Sequence, residues 1–542
     1  QYPSNPRMLN QEAFHIVFGQ VRRRLYCSST FGTGGTVVPD LSGRERTLIL
    51  TTTILASGLG FLMNSAVNIA LPTIQASLEV DIATIQWIAS AFSLALASLI
   101  LLSGSLGDVY GVRRVYNLGI GFFTLGTLAC GISPGPGWLI GSRAVQGLGA
   151  ALMIPGSLAI INRTFAPSER GRVIGLWAGV SGAIAAFGPF VGGVLTDISW
   201  RLVFLAIAPI GVLAFFFSRF AVPELPGDRG RRLDLAGLVP VVAGLAGLVL
   251  ALVRLPDTGF TAVTWIGLGV AAVAIPAFVV MERRQDSPLV PFSMFTPLVT
   301  GANVATLLIY FAFQAAFFLL SFNLQQLQGF SSTVAGLGLL PATALIAILS
   351  SPSGSITDSR GPRLQMIAGP SLMAGALLLL MILPGRESRY LASFLPGVLL
   401  MGLGIVTIIP AITKSALSVP EELSGTASGV NNSAARLAGL LAVTIMGTIV
   451  NAAYRAALAS RLPEAVPGPL RDEVLASAGQ LLGAPVPDAA GRLASTIRVA
   501  MERSFVLAYR LAIGVALLAV VGAIVVSFVS IRGEEATPEE SD

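Results

Sequence analysis

The apolar positions of the chain fall into long uninterrupted runs, and short polar segments separate one run from the next. Because a helix of about 20 apolar residues crosses the hydrocarbon core of a bilayer, such runs predict transmembrane helices. Fourteen runs are long enough, and they occupy residues 48–72, 85–107, 114–132, 137–162, 171–196, 201–222, 234–253, 261–281, 298–323, 331–356, 363–383, 390–416, 425–450 and 506–531. The pattern predicts an all-α membrane protein with fourteen spans.

Polar links divide the fourteen runs into groups of six, two and six. This grouping predicts two six-helix bundles with two extra transmembrane helices between them. The expected divisions are a cytosolic N-terminal tail (1–47), an N-terminal bundle (48–222), a linker with the two extra helices (223–297), a C-terminal bundle (298–531) with an outer loop (451–505), and a cytosolic C-terminal tail (532–542).

Arginine residues mark alternate connections between the runs. Thirteen arginines lie in the short connections on one side of the membrane, the side that includes the connection between the second and third runs. The short connections on the opposite side hold four. Basic residues accumulate in the cytosolic loops of membrane proteins. With an even number of spans, we expect a multi-pass protein of a bacterial plasma membrane with both termini in the cytosol.

The composition agrees with a lipid bilayer as the main surroundings of the chain. Hydrophobic residues make up 54% and charged residues only 11%, whereas soluble domains contain about 25% charged residues. The net charge of +6 comes from arginines that punctuate the apolar runs, which argues against a nucleic-acid-binding face. The cysteines are Cys27 and Cys130 and the histidine is His15. We therefore expect no metal, no cofactor and no enzymatic activity, and we expect a monomer.

A short charged segment occurs twice, 250 positions apart (354 minus 104), each time between two apolar runs. The first copy contains Gly104, Asp108, Gly111, Arg113 and Arg114, and the second contains Gly354, Asp358, Gly361 and Arg363. Glycine permits a tight reversal, aspartate can cap exposed N–H groups, and arginine reaches lipid headgroups. Two interpretations stay open: the segment only sets the orientation in the membrane, or it marks two related helical halves, as in secondary transporters.

The first copy resembles the loop motif G-x-L-x-D-x-x-G-x-R-R of the major facilitator superfamily. The resemblance implies that its Asp and Arg latch the two bundles together in one conformation. In the fourth run, Arg143, Gln146 and Gly147 match the R-x-x-Q-G motif to which the family's proton-coupling step is attributed. An arginine inside an apolar helix costs about 2.5–3.5 kcal/mol unless it faces a partner or water. Arg143 is therefore expected to face the cavity, and the alternative is that it snorkels to the membrane interface.

The fifth run contains Gly188, Pro189, Gly192 and Gly193. Small residues let helices approach closely and the proline removes one backbone hydrogen bond, so a packing surface with a flexible point is predicted. The same residues, with the Trp-Arg pair that follows at 200–201, resemble the antiporter motif of drug/proton exchangers. Residues 325–341 and 424–439 resemble segments of the same branch. The chain thus resembles the fourteen-span drug/proton antiporter (multidrug efflux) family from about residue 48 to 531.

Three runs carry polar stripes that fit a substrate path. The residues are Asn64 and Asn68 in the first run, Asn303, Tyr310 and Gln314 in the ninth, and Asn432 and Arg436 in the thirteenth. Within each run the spacing places them on one helical face. Hydrogen bonds between helices, worth about 0.6 kcal/mol per contact, explain any single asparagine equally well.

The first run departs from the family in one residue. Members of the branch carry an acid in L-D-x-T-I-V-N-V-A-L-P, and alignment on the segment from Asn68 to Pro72 places Met63 where that acid would be. We expect no other Asp or Glu well inside a span. A carboxylate can bind and release a proton but methionine cannot, so protons stay open as a coupling partner.

These observations predict a secondary active transporter that exports small amphipathic or lipophilic compounds by alternating access. Two alternatives stay open. One is a carrier of the same fold that is not proton-coupled and moves lipid-like or anionic molecules, because the deep charges are Arg143 and Arg436. The other is a transporter-like sensor that does not transport. In each case the expected partners are a small molecule and the bilayer, without nucleic acid.

Overall fold

A computed structural model describes residues 42–224, 227, 237–285, 292–420 and 423–535, so most of both predicted tails lies outside the described residues. The described chain folds into helices joined by short connections. The first eight helices are α1 (Gly43–Leu78), α2 (Ile82–Tyr110), α3 (Val112–Gly131), α4 (Pro136–Thr164), α5 (Pro167–Ala186), α6 (Gly188–Ile198), α7 (Leu202–Leu205) and α8 (Ala208–Ala221). We call α1–α8 the N-terminal half.

Two further helices, α9 (Leu238–Thr258) and α10 (Ala262–Arg284), precede the second half. The remaining helices are α11 (Pro297–Phe322), α12 (Ser332–Arg360), α13 (Arg363–Ile382), α14 (Tyr390–Ser393), α15 (Leu395–Ala416), α16 (Ser424–Arg461), α17 (Gly468–Ala476) and α18 (Ala494–Glu535). A π-helical turn, Asn323–Leu327, continues α11. We call α11–α18 the C-terminal half.

Twelve helical stretches of the described chain are long and apolar enough to cross a membrane. The other two segments of the predicted fourteen are also helical. In α3, Arg113 and Arg114 in the first turn lower the mean hydropathy, and in α9 the apolar part is the shorter stretch Val239–Leu255. The predicted all-α membrane architecture is confirmed, with twelve spans as the number that the described helices support.

Consecutive long helices run in opposite directions, so their ends lie at two faces of the molecule. We call the end at which α2 stops the Asp108 face and the end at which α6 stops the Asp197 face. The starts of α1 and α5 meet at the Asp108 face, where Arg46 and Glu169 form a salt bridge of 3.1 Å.

The repeated charged segment is helical over most of its length. Gly104 and Gly354 lie within α2 and α12, and the chain reverses only at Gly111 and Gly361. These two glycines have φ angles of 95° and 76°, which a residue with a Cβ adopts only with strain. The reversal is therefore shorter than the sequence indicated, because one glycine suffices to end each helix.

The extra helices α9 and α10 pack on the seam between the two halves. α10 packs against α9, and α9 contacts both α2 of the N-terminal half and α16 of the C-terminal half. Ala83, Val249, Val253 and Leu440 form a buried apolar cluster across this contact. The Oγ1 atom of Thr448 also donates a hydrogen bond to the carbonyl of Leu252 at 2.7 Å. The pair therefore covers one side of the junction between the halves.

The predicted outer loop at 451–505 is largely helical. α16 continues to Arg461 and α18 begins at Ala494, so the connection between them is 462–493. Leu470, Val474 and Leu481 of this connection are buried in the main apolar core. The Nε2 atom of Gln480 donates a hydrogen bond to the carbonyl of Glu79 at 3.4 Å. The connection thus rests on the end of α1 at the Asp197 face.

Candidate functional site

Neutral polar side chains join the two halves near the Asp197 face. Gln325 lies on the π-helical turn after α11, and its Nε2 atom donates a hydrogen bond to the carbonyl of Ile69 at 2.8 Å. Gln326 beside it donates to Oε1 of Gln75 at 2.8 Å. Both acceptors belong to α1, in the other half. The π-helical turn directs two consecutive glutamines toward this neighbour, a geometry that sequence spacing alone does not reveal.

Asp197 of α6 binds the first turn of α12 across the same junction. Its Oδ1 atom accepts a hydrogen bond from the backbone N–H of Ser332 at 2.8 Å, and its Oδ2 atom accepts one from the N–H of Thr333 at 2.9 Å. The first N–H groups of a helix have no partner within the helix itself. The hydroxyl oxygens of Thr73 and Ser332 also lie 3.1 Å apart. A carboxylate of the N-terminal half therefore caps a helix of the C-terminal half.

The glycines of the predicted antiporter motif face two different helices. Gly188 and Gly192 face α1, and a Cβ on Gly192 would lie 2.7 Å from the Cα of Ala66. Gly193 faces α12, and a Cβ there would lie 2.9 Å from the Cα of Thr333. The first contact joins two helices of one half, whereas the second joins the two halves. The motif therefore brings the backbones of α6 and α12 together at the Asp197 face.

The span that contains this motif breaks where proline follows glycine. α5 ends at Ala186 and α6 begins at Gly188, because Pro189 has no N–H to donate to the preceding turn. On the partner helix, Gly336 packs against the carbonyl of Pro189, and a Cβ on Gly336 would lie 3.2 Å from the Cα of Phe190. Glycine is thus required on both sides of the α6–α12 contact.

A second junction between the halves lies where α2 meets α16. The Nε2 atom of Gln86 donates a hydrogen bond to the carbonyl of Thr444 at 2.6 Å. The hydroxyl oxygens of Ser90 and Thr444 lie 3.2 Å apart. Gln86 and Ser90 occupy the first turns of α2, which begin at the Asp197 face. Both junctions between the halves therefore close toward this face.

The first copy of the charged motif forms ion pairs inside the N-terminal half. Asp108 accepts a hydrogen bond from Nη2 of Arg163 at 2.6 Å. Arg113 is buried, pairs with Glu224 at 3.1 Å and donates to the backbone carbonyl of Arg219. The motif here ties α2 to α4 and α3 to the end of α8, whereas the family resemblance implies a latch between bundles.

The second copy repeats this arrangement inside the C-terminal half. Asp358, near the end of α12, pairs with Nζ of Lys414 on α15 at 3.1 Å. Lys414 also donates to the carbonyl of Thr357 at 3.3 Å. Arg114 and Arg363 follow the reversing glycines and are exposed at the Asp108 face. Both copies therefore bind a basic residue from another helix of their own half.

Arg143 lies between α2 and α4 with only 1% of its surface exposed. Its Nε atom donates to the carbonyl of Ile88 at 3.2 Å, and its guanidinium carbon lies 4.5 Å from the ring centroid of Phe92. Its Nη1 atom donates to Oε1 of Gln146 at 2.5 Å, and Gln146 donates to Oγ1 of Thr127 at 2.7 Å. The side chain is directed into the packed N-terminal half, so it neither snorkels to the interface nor stands free in a cavity.

Gly147 permits the close approach on which this network depends. A Cβ on Gly147 would strike the carbonyl oxygen of Phe92 and lie 3.0 Å from the Cβ of Ala95. On the opposite side, a Cβ on Gly126 of α3 would lie 2.6 Å from the backbone nitrogen of Gln146. The three predicted residues Arg143, Gln146 and Gly147 therefore belong to one tightly packed contact of α2, α3 and α4.

Arg436 is an arginine near the middle of the membrane-spanning part of α16, and its side chain faces the other half. Its guanidinium carbon lies 5.0 Å from the ring centroid of Phe61 on α1, and Tyr310 of α11 is close enough to interact with its charge. Arg436 is 12 residues after the start of α16 at Ser424 (436 minus 424), which places it about 18 Å along the helix. Its buried Nε atom has no hydrogen-bond partner among the described residues.

Two other predicted path residues lie on the helices around Arg436. Asn64 is one helical turn from Phe61 on α1, so the two side chains share a face. The Nε2 atom of Gln314 lies 3.6 Å from the position that a Cβ on Gly439 would occupy, next to α16. Within the part of the chain that the structure describes, the side chains of Asn64, Gln314 and Tyr310 make no hydrogen bond. Polar groups from α1, α11 and α16 thus converge at mid-depth.

The remaining predicted asparagines bind their own helices. Asn68, Asn303 and Asn432 donate from Nδ2 to the carbonyls of Asn64, Val299 and Ser428, at 2.9, 2.8 and 3.1 Å. The bond between α11 and α16 is made instead by Thr306, which donates to Oδ1 of Asn431 at 2.7 Å. Sequence analysis missed Asn431, because the neighbouring Asn432 fits the stripe with Arg436 better.

Met63, at the position where related exchangers carry an acid, is part of the main apolar core. It has no exposed surface. One buried carboxylate was not predicted: Glu282, assigned to a polar link from the sequence, lies within α10 and is 1% exposed. Its burial follows from the extension of α10 to Arg284. In the described ranges, His, Cys, Asp and Glu form no group of three that could hold a metal ion.

Comparison with known proteins agrees with this architecture. The sequence pattern of the Major Facilitator Superfamily matches residues 53–443. The chain is 35% identical over 441 residues to the multidrug resistance protein Stp of Mycobacterium tuberculosis, covering 80% of this chain and 81% of that protein. It is 31% identical over 512 residues to the tetracenomycin C resistance and export protein of Streptomyces glaucescens, covering 90% and 93% of the two chains.

Solved structures support the same fold. The crystal structure of a bacterial homologue of the human lysosomal transporter Spinster, in an inward-facing and unoccupied conformation, superposes with a TM-score of 0.68 at 16% identity. The similarity covers 92% of this chain and 100% of that one. The predicted resemblance to drug-efflux members is confirmed by the relatives. The chain belongs to the Major Facilitator Superfamily and is a membrane transporter, not an enzyme.

Proposed function

We propose that this transporter exports small amphipathic or lipophilic compounds across a bacterial plasma membrane by alternating access. Relatives named for multidrug resistance and for export of tetracenomycin C support the direction and the substrate class. The observation that carries the proposal is structural. Contacts between the halves close the molecule at the Asp197 face, and behind that closure lie mid-depth polar groups that have no hydrogen-bond partner among the described residues.

The Asp108 face is then the cytosolic side, because its short connections hold most of the arginines. In this orientation the structure corresponds to a state closed to the outside, and both termini lie in the cytosol. We include α3 and α9 among the spans, which gives fourteen in the order six, two and six. Cysteine labelling tests this topology: Ser359→Cys should react only from inside and Ser460→Cys only from outside. The reverse pattern would overturn it.

The repeated motif contributes to the exchange between states. Asp108 with Arg163 and Asp358 with Lys414 hold helix ends together within each half. When the outer junctions open and the inner faces approach, these charged groups come within reach of the opposite half. The motif would then act on the rate of exchange and not on substrate binding. We infer a monomer, since one chain supplies both halves of the path.

A second candidate is the same export without proton coupling through α1. It is favoured by Met63, which is completely buried where the related exchangers have an acid. The two candidates share the conformational cycle and differ in the driving force.

The conformational cycle can be tested by locking the outer junction. The hydroxyl oxygens of Thr73 and Ser332 are 3.1 Å apart in opposite halves, so cysteines at both positions should form a disulfide when oxidised. In a background lacking the native cysteines, the cross-linked protein should lose transport of the neutral lipophilic dye Nile red in proteoliposomes. Reduction should restore it, because the two halves can then separate again.

A matched control comes from a pair within one half. The hydroxyl oxygens of Ser57 and Ser157 are 2.9 Å apart, both in the N-terminal half. A disulfide there should leave transport intact, because rigid halves can still rock against each other. If the cross-linked Thr73/Ser332 variant transports as fast as its reduced form, the outer junction does not open and the proposed cycle is wrong.

A further inference from the structure

We propose that Arg436 forms an anion-binding subsite, and that compounds with a carboxylate or acidic phenol on an aromatic framework are the preferred cargo. The inference rests on the proposed export function and specifies its substrate class. It starts from the charge of Arg436, which has no counterion among the described residues and lies against Phe61 of the other half.

Arg143, which is 1% exposed, shows the contrast to Arg436, which is only partly buried. Arg143 is held by the Ile88 carbonyl and by Gln146, so its charge is satisfied inside one half. For Arg436, the described chain supplies no hydrogen-bond acceptor and no carboxylate within salt-bridge distance, and its Nε atom is buried and unpaired. Burying this Nε–H group without an acceptor is unfavourable. A ligand that brings an anionic group would supply the missing partner.

Charge around the site favours the same cargo. Asp108 and Asp358 lie at the Asp108 face, each paired with a basic residue. Asp197 lies at the other face and is occupied by the N–H groups of α12. Met63 replaces the acid that would attract a cationic compound on α1. At mid-depth the described site is therefore positively charged. An anion is attracted to this charge, whereas a cation is repelled by it.

The helices next to the guanidinium carry aromatic side chains. Phe61 lies 5.0 Å from it across the junction. On α11, Tyr310 is close enough to interact with the charge of Arg436, and Phe313 and Phe317 follow one and two turns later with ring centroids 4.7 Å apart. A planar arginine presents paired donors to a carboxylate and stacks on aromatic faces. A flat aromatic anion can use both properties, with Gln314 and Asn64 as further hydrogen-bonding groups.

Fluorescein and rhodamine 123 provide a matched pair of probes, because they share a xanthene framework and carry opposite charges at neutral pH. Binding to the purified full-length protein is measured by fluorescence anisotropy. The wild-type protein should bind fluorescein more tightly than rhodamine 123. Arg436→Gln should weaken fluorescein binding at least about tenfold, as expected for the loss of a charged hydrogen bond, and should leave rhodamine 123 binding unchanged or stronger.

Two further variants separate charge from structure. Arg436→Lys keeps the charge and should keep the preference for fluorescein. Lys414→Gln removes a cation at the Asp108 face that is already paired with Asp358, and should change fluorescein binding less than about twofold. Equal or reversed preference in the wild-type protein, or equal weakening of both dyes in Arg436→Gln, would overturn the anion subsite.

Transport in proteoliposomes distinguishes this inference from the proposed function. Fluorescein that binds through Arg436 and is also carried across the membrane supports both. If fluorescein binds through Arg436 but no compound is carried, the export proposal fails while the anion subsite stands. If compounds are carried without any dependence on Arg436 or on their charge, export stands and the subsite is wrong.

Discussion

Asp197 accepts a hydrogen bond from the backbone N–H of Ser332 at 2.8 Å. The two residues belong to different halves of the transporter, so a helix cap, normally a local feature, here depends on the conformation of the whole protein. When the outer junction opens, this cap is lost, and the first N–H groups of α12 form hydrogen bonds with water instead.

We predict that Asp197→Ala shifts the protein toward the state that is open at the Asp197 face. A cap contributes about 1–2 kcal/mol, which corresponds to a fivefold to thirtyfold change in the ratio of the two states. Spin labels at Gly137→Cys and Glu387→Cys, in opposite halves at this face, would report the population by their separation.

Asp81→Ala is the control for this variant. Asp81 caps the N–H of Thr84 at 2.8 Å within its own half. Its loss should lower overall stability without changing the distance distribution. An unchanged distribution in Asp197→Ala would contradict the proposed role of the cap.

A second prediction concerns Gly193. In Gly193→Ala the new Cβ meets the backbone of Ser332 and Thr333, so the outer junction should fail to close, at a cost of about 1–3 kcal/mol for an overpacked contact. Transport should fall severely. Gly182→Ala lies in the same span with no atom within 4 Å of its Cβ, and it should transport normally. Similar activity of both variants would show that close backbone contact is not required.

The third prediction ranks two basic residues. Arg143→Ala removes the side-chain donor to the Ile88 carbonyl and to Oε1 of Gln146, at about 1–3 kcal/mol for each buried group left unsatisfied, and should abolish transport. Lys414→Ala removes a partly exposed ion pair and should have a mild effect. Transport rates at matched membrane levels of protein test the ranking. Equal tolerance of both substitutions would contradict a functional role for the Arg143 network.

The fourth prediction addresses proton coupling. If the buried Met63 replaces the coupling acid, substrate flux of the wild-type protein should respond weakly to a pH step across the membrane. Met63→Asp introduces a group that can bind and release a proton, so flux should become pH-dependent or cationic compounds should be accepted. Met63→Asn is polar but cannot titrate, and should show neither effect. Strong proton exchange by the wild-type protein, unchanged in Met63→Asp, would contradict the prediction and direct attention to Glu282.

The helices could be predicted from the sequence because burial in lipid imposes long apolar runs. Gly111 and Gly361 were also foreseeable as reversal points, since few other residues adopt their φ angles without strain. The number of spans was less certain for a physical reason. Arg113 and Arg114 give α3 a polar first turn, and hydropathy cannot say how deep that turn lies.

The contacts of the site could not be predicted in the same way. Asp197 and Ser332 are 135 residues apart, and their pairing depends on how two complete halves dock. Gln325 and Gln326 reach α1 only because a π-helical turn redirects them. For Arg143 the sequence indicated that a partner was needed, but not that the partner would be a backbone carbonyl inside the same half.

The position of α9 has a consequence for compounds dissolved in the lipid. α9 lies against both α2 and α16, and thus shields the seam between those two helices from acyl chains. The seam between α5 and α12 has no such cover among the described helices. Lateral access from the bilayer to the central path is therefore one-sided, and a membrane-dissolved compound should enter past α5 and α12. Bulky side chains on the lipid-facing surface of those two helices should slow export of lipophilic compounds and spare water-soluble ones.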